Sequence, residues 1–558
     1  MTTIAENTVH AELRRSNLLL AVSTGLLLGF AFPPSPFYSF AYLGLVPFLF
    51  LLVRLETVGS VLRYSYLSMG VFNLITLYWV GGFTHMRDPY LMISGGLLLL
   101  LHPMFYWLPI LGGFVILRRW GEKAFLAAFP FLWVGFEFSH SLGEFSFPWL
   151  TLGNSQAYDT NRIQIIEFTS VYGLSMLVLI FNVLAFIVIR NLTNRAWKPL
   201  SRHSVLTVSL LMVLYLLPLI YGVVRRDSFA SDGGSPVKVG IVQPNIDPFE
   251  KWGEGFDSQW ESFARQLRIL YEETRRLSAD SLDVVLWPET AIPFYILLPQ
   301  NAEFYNQLKH EVDLGGTPVF TGVPDGLYLD SAHATPTSKW IPAAGMFFEG
   351  YNAATLFKPY EGSGRVYHKV NLVPFAERVP HAETLTFLIE AVRWSVGLGS
   401  WGKGTERILF NLPTRSKDSV LFAGMICYEL IFPGYVRQLV EDGAEFLVVL
   451  SNDSWWGNTS GARQLSATSI LRAVETRRWV VRCANGGISG IIDPSGQMVQ
   501  ETGMFESATV SGMIRAQQGE TFYVRHGDIV GWMSLIGGLF AIAAAFVIPR
   551  RKGKGIQP

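Results

Sequence analysis

The stretch Ser-Val-Leu-Phe-Ala-Gly-Met-Ile-Cys-Tyr-Glu, residues 419–429, ends a run of strand character with a thiol and a carboxylate. Cys427 is one of only two cysteines in 558 residues. Upstream, Glu289 also follows a strand-like run, 283–287, and Lys369 lies between these two residues in the chain. Catalytic side chains are often found on loops at strand ends. A carboxylate, an amine and a thiol predict nucleophilic acyl chemistry, because a cysteine reacts as a thiolate and needs a base or a positive neighbour.

Each of these residues also has an ordinary structural interpretation. A cysteine after an apolar strand is more often a small buried side chain, and Cys483, in Val-Val-Arg-Cys-Ala-Asn, is interpreted in that way. Glu289 could cap the turn after Trp-Pro, and Lys369 could be a solvated surface lysine. A disulfide with Cys483 is the competing use of Cys427, since two cysteines form at most one bridge.

Residues 227–525 have the composition of an ordinary globular domain. Strand-like runs alternate with helical patterns, and 256–277 repeats apolar residues at three- and four-residue intervals. This alternation predicts a layered α/β domain. The strand-like runs are 237–243, 283–287, 318–322, 353–357, 407–411, 419–426, 446–450, 479–483, 488–492 and 508–513, and further helical patterns cover 434–441 and 461–478.

The remainder of the chain is much more apolar. Over the whole sequence 50% of residues are hydrophobic and 16% are charged, against roughly 25% charged in soluble domains. A spanning helix needs about 20 mostly apolar residues. We therefore predict a membrane domain with seven spans at 1–226 and an eighth span in the C-terminal segment 526–558. The predicted spans are 17–33, 37–53, 64–84, 90–117, 124–142, 171–189, 204–224 and 529–548.

Lysine and arginine are distributed unevenly among the segments that join the predicted spans. With the N-terminus inside, the short outer segments hold only Arg87 and Arg162. Cytoplasmic loops carry an excess of positive charge, so both termini are predicted to be cytoplasmic and the 227–525 domain to lie outside. A net charge of zero implies no general attraction to nucleic acid. The inner segments hold Arg14, Arg15, Arg54, Arg63, Arg118, Arg119, Lys123, Arg190, Arg195, Lys198, Arg202, Arg550, Arg551, Lys552 and Lys554.

Several polar residues lie at or near membrane depth. They allow two interpretations, helix–helix hydrogen bonding or a substrate path. Glu137 is the most notable of them because it lies well inside the fifth predicted span. The set is Asn73, His102, Glu137, His140, Glu144 and Glu167.

Local sequences in both halves of the chain resemble those of known families. Residues 237–515 resemble the nitrilase superfamily, whose members use a Glu–Lys–Cys triad in an α-β-β-α sandwich. The motifs are Trp-Pro-Glu-Thr at 287–290, His-Lys-Val-Asn-Leu-Val-Pro-Phe-Ala-Glu at 368–377, Ile-Cys-Tyr-Glu at 426–429 and Ser-Asn-Asp-Ser-Trp-Trp-Gly at 451–457. The membrane part is similar to the apolipoprotein N-acyltransferase family through Pro-Phe-Leu-Trp at 130–133, Phe-Pro-Trp-Leu-Thr-Leu-Gly at 147–153, Val-Tyr-Gly-Leu-Ser at 171–175 and Tyr-Val-Arg-His-Gly-Asp at 523–528.

The resemblance implies transfer of an acyl chain from a membrane phospholipid to the N-terminal amine of a diacylglyceryl-cysteine lipoprotein. On the matching positions Glu289 is the general base, Lys369 the oxyanion stabiliser and Cys427 the nucleophile of a ping-pong reaction through a thioester. We expect a monomer in the bacterial inner membrane, with the catalytic domain in the periplasm and with no cofactor and no metal. The supporting or substrate-binding positions are Trp252, Asn352, Glu377, Tyr428, Glu429, Trp455 and Trp456.

Three apolar patches, 291–298, 340–348 and 455–457, are candidates for a movable lid that keeps water from the thioester. The stretch at 325–350 is longer than in simpler members of the superfamily, and its role stays open. Two other functions are weighed against acyl transfer. One is a membrane-anchored amidase for small amides or nitriles, for which one anchor helix would suffice. The other is a transporter or receptor with a non-catalytic outer domain.

Overall fold

The computed structural model describes residues 2–84, 89–199, 201–229, 233–248, 251, 256–277, 280–386, 401–416 and 419–548. The chain forms two compact units. The first comprises Met1–Tyr78, Gly95–Arg225 and Asp528–Pro558, and the second comprises Trp79–Ser94 and Arg226–Gly527. The domain limits expected from the sequence, at 226 and 525, stay predictions.

Helices occupy every segment that the sequence predicts to be a membrane span. Several of them are interrupted, and α8 contains a non-helical residue, Ser170, with φ 56°. The helices are α1 (Thr2–Ala31), α2 (Ala41–Gly44), α3 (Val46–Arg54), α4 (Val58–Leu77), α5 (Pro89–Phe105), α6 (Trp107–Trp120), α7 (Glu122–Ser139), α8 (Ile166–Thr193) and α9 (Arg202–Phe229), followed at the end of the chain by Ile529–Val547.

The predicted count of eight spans is not confirmed. The predicted span 37–53 is not one long helix, because Pro47 has no N–H to donate to the preceding turn and α3 begins anew at Val46. Within the described part of the chain, four helices are long and apolar enough to cross a membrane: Leu91–Trp120, Arg162–Thr193, Arg202–Arg226 and Ile529–Val547.

Three of the polar residues at predicted membrane depth bond to neighbouring groups of the first unit. Asn73 donates from Nδ2 to the Met69 carbonyl at 2.7 Å, and its Oδ1 lies 2.6 Å from Nδ1 of His102. Glu137 Oε1 accepts from Trp133 Nε1 at 3.0 Å and from the Leu152 N–H at 2.8 Å. These contacts favour the structural interpretation of the three residues over a substrate path.

The second unit contains two β-sheets built from thirteen strands in the described residues. The first sheet has the order β13-β1-β2-β3-β5-β4, with β6 paired to β5, and the second has the order β12-β11-β10-β9-β8-β7. The strands are β1 (Ser235–Gln243), β2 (Val284–Leu286), β3 (Val319–Leu329), β4 (Lys339–Ile341), β5 (Met346–Lys358), β6 (Gly362–His368), β7 (Leu409–Pro413), β8 (Ser419–Ile426), β9 (Phe446–Ser451), β10 (Val480–Ala484), β11 (Gly490–Ile492), β12 (Met498–Glu501) and β13 (Ala508–Ala516).

Helices cover the outer faces of the two sheets. The helices of this unit are α10 (Phe256–Leu277), α11 (Ala302–Gly315), α12 (Pro433–Glu441), α13 (Ser460–Thr476) and α14 (Phe522–His526). Helices α10 and α11 contact the first sheet and α13 contacts the second, while β1 meets β10 and β5 meets β8 between the sheets. Strands covered on both faces are apolar throughout, and all six residues of β9 are buried. The predicted α-β-β-α sandwich is therefore confirmed.

The structure shows where the patch 291–298 and the stretch 325–350, whose roles the sequence left open, lie in this unit. Ala291, Ile292, Phe294 and Ile296 are buried in a core cluster with residues of α10, so the patch 291–298 is no longer a lid candidate. The stretch at 325–350 extends the first sheet. There β3 and β5 pair continuously from Val319–Phe357 to Leu329–Phe347, and β4 pairs with the start of β5.

Candidate active site

Cys427 begins a tight turn directly after β8. Its backbone has φ 50°, and the turn Cys427–Ile431 is a short 3-10 helix. A non-glycine residue in the left-handed region costs roughly 1–2 kcal/mol. Such strain persists where the surrounding structure over-determines it, often at functional sites. The side chain is only 8% exposed, so the thiol lies on a sharp, enclosed bend.

Glu429 connects this turn to the loop that carries Lys369. Its Oε2 accepts from the Ile426 N–H at 2.8 Å. Its Oε1 accepts from the N–H groups of Val370 and Asn371, at 2.8 and 3.0 Å, and from the Tyr367 hydroxyl at 2.6 Å. Burial raises the pKa of Glu429, and these hydrogen bonds oppose that rise. One buried carboxylate therefore fixes two loops of the site against each other.

Lys369 follows β6 and is fully enclosed, with 1% of its surface exposed. Its ammonium lies 2.8 Å from Glu377 Oε1 and 3.6 Å from Glu289 Oε1. Burial alone lowers the pKa of Lys369, but the Glu377 and Glu289 carboxylates outweigh burial and raise it. The lysine is therefore a positive charge held inside this site, and the alternative interpretation as a solvated surface lysine does not apply.

Glu289 lies in the turn after β2, and a glycine on β3 allows this turn to pack closely. A Cβ at Gly322 would lie 2.5 Å from the Thr290 nitrogen and 2.7 Å from the Glu289 Cα. Asn352 on β5 orients both carboxylates of the site. Its Nδ2 donates to Glu289 Oε1 at 2.8 Å and to Glu377 Oε1 at 3.3 Å. The two N–H bonds of one amide are thus shared between the two glutamates.

Burial, more than the neighbouring charges, favours the protonated form of the Cys427 thiol by raising its pKa. Burial raises the pKa of Cys427, the Glu289 carboxylate raises it further, and the Lys369 ammonium lowers it. Burial also raises the pKa of Glu289, while Lys369 lowers it. A thiol of this kind reacts only when a base removes its proton during attack. Glu289 and Lys369 are the two charged groups that act most strongly on this thiol, and their roles as base and oxyanion stabiliser stay predictions.

Comparison with known proteins matches both halves of the chain to described families. Residues 24–184 match the apolipoprotein N-acyltransferase N-terminal domain, and residues 238–522 match the carbon-nitrogen hydrolase domain. An apolipoprotein N-acyltransferase from Chlorobaculum tepidum is 35% identical over 532 residues, which cover 94% of this chain and 96% of that protein. The chain belongs to the apolipoprotein N-acyltransferase family. The resemblance predicted from the motifs is therefore confirmed.

Two further proteins match this chain at lower similarity. An apolipoprotein N-acyltransferase from Geobacter metallireducens is 32% identical over 548 residues, which cover 96% of each chain. Among solved structures, an amidase from Nesterenkonia sp. is 16% identical with a TM-score of 0.36, and the match covers 53% of this chain and 94% of the amidase. Family membership leaves the roles of the individual site residues as predictions.

The remaining residues predicted for the site differ in burial and in whether the structure describes them. Tyr428 is buried in the Cys427 turn, with its ring 5.2 Å from that of Phe432. Trp455 and Trp456 are half-buried in the turn Asp453–Trp456. Trp252 lies outside the described residues. The structure therefore brings together Glu289, Asn352, Lys369, Glu377, Cys427, Tyr428 and Glu429.

The stretch at 325–350 also contacts the site loops. Arg378, the residue after Glu377, donates from Nη1 to Thr337 Oγ1 at 2.9 Å. Thr337 donates in turn to Glu349 Oε1 at 2.6 Å. Trp340 at the tip is 52% exposed, so part of the second lid candidate lies at the surface. The extension thus braces the loop that holds Glu377.

Two groups near the triad were not predicted from the sequence. Lys251 is 1% exposed and donates from Nζ to the Glu289 carbonyl at 3.2 Å and to Thr290 Oγ1 at 3.0 Å. Ser451 donates to Asp453, whose Oδ2 lies 3.1 Å from Nη2 of the buried Arg482. The Ser-Asn-Asp motif after an apolar strand could have predicted the group formed by Ser451 and Asp453. For Lys251 no such signal existed, because a lysine in a polar loop is normally solvated.

Proposed function

We propose that this family member is an apolipoprotein N-acyltransferase. It moves an acyl chain from a membrane phospholipid to the N-terminal amine of the S-diacylglyceryl-cysteine of a lipoprotein. The observation that carries the proposal is the buried cluster in which the Lys369 ammonium lies 2.8 Å from Glu377 and 3.6 Å from Glu289, beside a thiol on a strained turn. The two relatives described above carry the same name over nearly their whole length.

The first half-reaction transfers the acyl group to Cys427. Glu289 accepts the thiol proton while Sγ attacks the carbonyl carbon of a phospholipid ester, and the ester C=O bond opens to an oxyanion. The oxyanion collapses, the carbon–oxygen bond to glycerol breaks, and Glu289 returns its proton to the departing alkoxide. A lysophospholipid leaves, and the acyl chain remains on Sγ as a thioester.

The second half-reaction releases the acyl chain to the lipoprotein. The α-amine of the acceptor attacks the thioester carbon, and Glu289 removes a proton from the nitrogen. The carbon–sulfur bond then breaks, and Glu289 protonates the sulfur. The products are an amide on the lipoprotein and the free thiol of Cys427. Glu289 therefore ends each cycle in the ionised form in which it began.

Lys369 stabilises both oxyanions through its fixed charge. Preorganised donors in a low-dielectric site need no reorganisation when charge develops, which makes them effective. Glu377 pairs with the lysine, and Asn352 donates to Glu289 and Glu377, so together they hold the lysine and the base in place. The deep burial of all these groups also limits the entry of water, which would hydrolyse the thioester.

We also propose the cellular setting of this reaction. The chain is a multi-pass protein of the bacterial inner membrane, with cytoplasmic termini and with the 227–525 domain in the periplasm. The lysine and arginine asymmetry of the joining segments supports this orientation. Four helices within the described ranges are long and apolar enough to cross a membrane, and they support the membrane location.

The test is mass spectrometry of the purified full chain after incubation with a phospholipid of defined acyl chains. We expect a mass increase of one acyl group on Cys427. Addition of a synthetic S-diacylglyceryl-cysteine peptide should remove this group and yield the N-acylated peptide. Release of ammonia from small amides, without any thioester from phospholipid, would support the amidase and contradict the proposal.

A further inference from the structure

Lys251 is a buried lysine that the proposed reaction does not use. Its ammonium donates to the Glu289 carbonyl and to the Thr290 hydroxyl, at 3.2 and 3.0 Å. Both acceptors are neutral. Burying a charge is costly unless it is paired and hydrogen-bonded. Among the described residues, the carboxylate of Glu289 is the charge that acts on Lys251. The ammonium charge of Lys251 is therefore stabilised by the carboxylate of Glu289, the same residue whose backbone carbonyl it binds.

The turn that carries Glu289 is held from two directions. On one side, the Gly322 N–H on β3 donates to the Pro288 carbonyl at 3.2 Å, and this strand approaches too closely for any side chain at Gly322. Thr290 adopts φ 44°, a conformation unfavourable for a β-branched residue. Lys251 supplies the contacts on the other side. Without them, the Thr290 hydroxyl and the Glu289 carbonyl each lose a charged donor.

Lys251 also changes the balance of charge at the general base. Lys369, Glu377 and Lys251 are charged groups that act on Glu289, and the Cys427 thiol interacts with it as well. With Lys251 protonated, two carboxylates face two ammonium groups. With Lys251 neutral, two carboxylates face one, and the excess negative charge favours a proton on Glu289. Burial lowers the pKa of Lys251 to about 7. Its ionisation therefore falls in the neutral range, where it alters the behaviour of Glu289.

We propose that Lys251 is a positioning residue for the general base of acyl transfer. It fixes the Glu289–Thr290 turn and, as an ammonium, keeps the Glu289 carboxylate ionised and able to accept the Cys427 proton. The inference rests on the proposed function, because it assigns Lys251 a role in that reaction. Lys251 itself forms and breaks no covalent bond.

The experiment measures the rate of thioester formation on the full chain in detergent, between pH 5 and 9. Wild type, Lys251→Met and Lys251→Arg are compared at saturating phospholipid. We expect the acidic limb of the profile to move up by about 1 pH unit in Lys251→Met, because Glu289 then holds its proton more tightly. Below the limb, this shift corresponds to a rate about tenfold lower. Lys251→Arg keeps the charge, so its limb should stay in place.

Two further variants separate charge from structure. Thr290→Val removes one acceptor of Lys251 without changing any charge, so we expect a lower rate with the acidic limb unmoved. Lys238→Met is the matched control. Lys238 on β1 also donates to a backbone carbonyl, that of Asp280, and it lies outside the proposed site. Its removal should leave the profile unchanged. Lys251→Gln, neutral and polar, replaces Lys251→Met if the latter does not fold.

The outcomes distinguish this inference from the proposed function. An acidic limb that moves in Lys251→Met but not in Lys251→Arg supports the inference. An unchanged limb in Lys251→Met overturns it, whether or not the rate falls, because the lysine then exerts no control over Glu289. Failure of wild type to form any thioester would overturn the proposed function itself, before any variant is compared.

Discussion

Both cysteines are buried beside the same sheet, Cys427 directly after β8 and Cys483 within β10, yet their surroundings differ. Burial raises the pKa of both thiols. Cys427 lies in a left-handed turn after β8, where the charges of Glu289 and Lys369 act on it. Cys483 lies within β10, and its Sγ is 3.4 and 3.3 Å from the carbonyls of Val242 and Leu286 on the other sheet. Burial therefore does not distinguish a candidate nucleophile from a structural thiol, whereas the neighbouring charges do.

Both cysteines are free thiols in the structure. The disulfide considered from the sequence is therefore not formed. The interpretation of Cys483 as a buried strand thiol is confirmed, because its sulfur packs between the two sheets. The difference between the two cysteines can be tested by substituting the thiols and the groups around Cys427 one at a time.

The largest effect is expected from the nucleophile itself. Cys427→Ala should lower acyl transfer by more than about 10⁴-fold, since no other group can carry the acyl chain. Cys483→Ala is the matched control and should retain thioester formation. Intact-protein mass spectrometry after incubation with phospholipid measures both. If the thioester persisted in Cys427→Ala and disappeared in Cys483→Ala, the nucleophile would be Cys483 and the prediction would be wrong.

Removal of the base should have the next largest effect. Glu289→Gln leaves the shape of the side chain but takes away the acceptor of the thiol proton, so thioester formation should slow by about 10²–10⁴-fold. Burial raises the pKa of Glu289 in the wild type. The rate should therefore fall as the pH decreases through a value above the ordinary glutamate pKa of about 4.3. Stopped-assay rates at graded pH measure this limb, which Glu289→Gln should lack.

Loss of the fixed positive charge should affect both rate and stability. Lys369→Met should lower the rate by about 100-fold, the typical effect of removing an oxyanion donor. It should also lower the free energy of unfolding by about 3–5 kcal/mol, because it leaves buried carboxylates unpaired. The double variant Lys369→Met with Glu377→Gln should recover part of the stability and none of the activity. Recovery of activity would show that Lys369 serves folding alone.

A smaller effect is expected where the Cys427 turn is supported. Tyr367→Phe removes one of the donors to Glu429, and a buried hydrogen bond to a charged group contributes about 1.5–3 kcal/mol. The free energy of unfolding should fall by that amount, and thiol reagents should label Cys427 faster while Cys483 stays protected. Tyr435→Phe is the control, since the Tyr435 hydroxyl bonds to the Tyr367 hydroxyl 2.6 Å away. Its effect should be smaller, and it should vanish when Tyr367 is already Phe.

The smallest effect should come from Cys483. Cys483→Ser keeps a donor for the carbonyls of Val242 and Leu286 and changes little else in the packing. We expect the free energy of unfolding to change by about 1 kcal/mol, within the usual range for single substitutions. Rates of acyl transfer should equal those of the wild type. Chemical denaturation measures the first quantity, and any loss of transfer would place Cys483 within the site after all.

The sequence predicted local features of this site well and its tertiary contacts poorly. The strand 419–426 coincides with β8, because an unbroken apolar run ending at a polar turn has few alternatives. The meeting of Glu289, Lys369 and Cys427 followed from family motifs. The role of Asn352 as a shared donor could not be predicted, since it depends on the pairing of β3 with β5. The burial of Lys251 could not be predicted from the sequence either.

Apolar runs were the least informative part of the sequence. Residues 291–298 and 340–348 have similar composition, yet the first packs in the core while Trp340 is exposed at the tip of the β3–β5 extension. The same ambiguity affects the membrane unit, where eight apolar segments were predicted to be spans and four helices of the described residues meet the length and composition expected of one. Composition shows how apolar a segment is. Whether the segment faces core, solvent or lipid depends on which other part of the protein packs against it.

The long pairing of β3 with β5 limits how this protein can vary during evolution. Asn352 lies opposite Pro324, five pairs beyond the start of the ladder at Val319 and Phe357. One residue gained or lost in that basal part would turn the amide to the opposite face of the sheet and away from both glutamates. Changes beyond the pair leave its orientation intact. Natural length differences among relatives should therefore accumulate toward the tip, and the basal part should keep a constant number of residues.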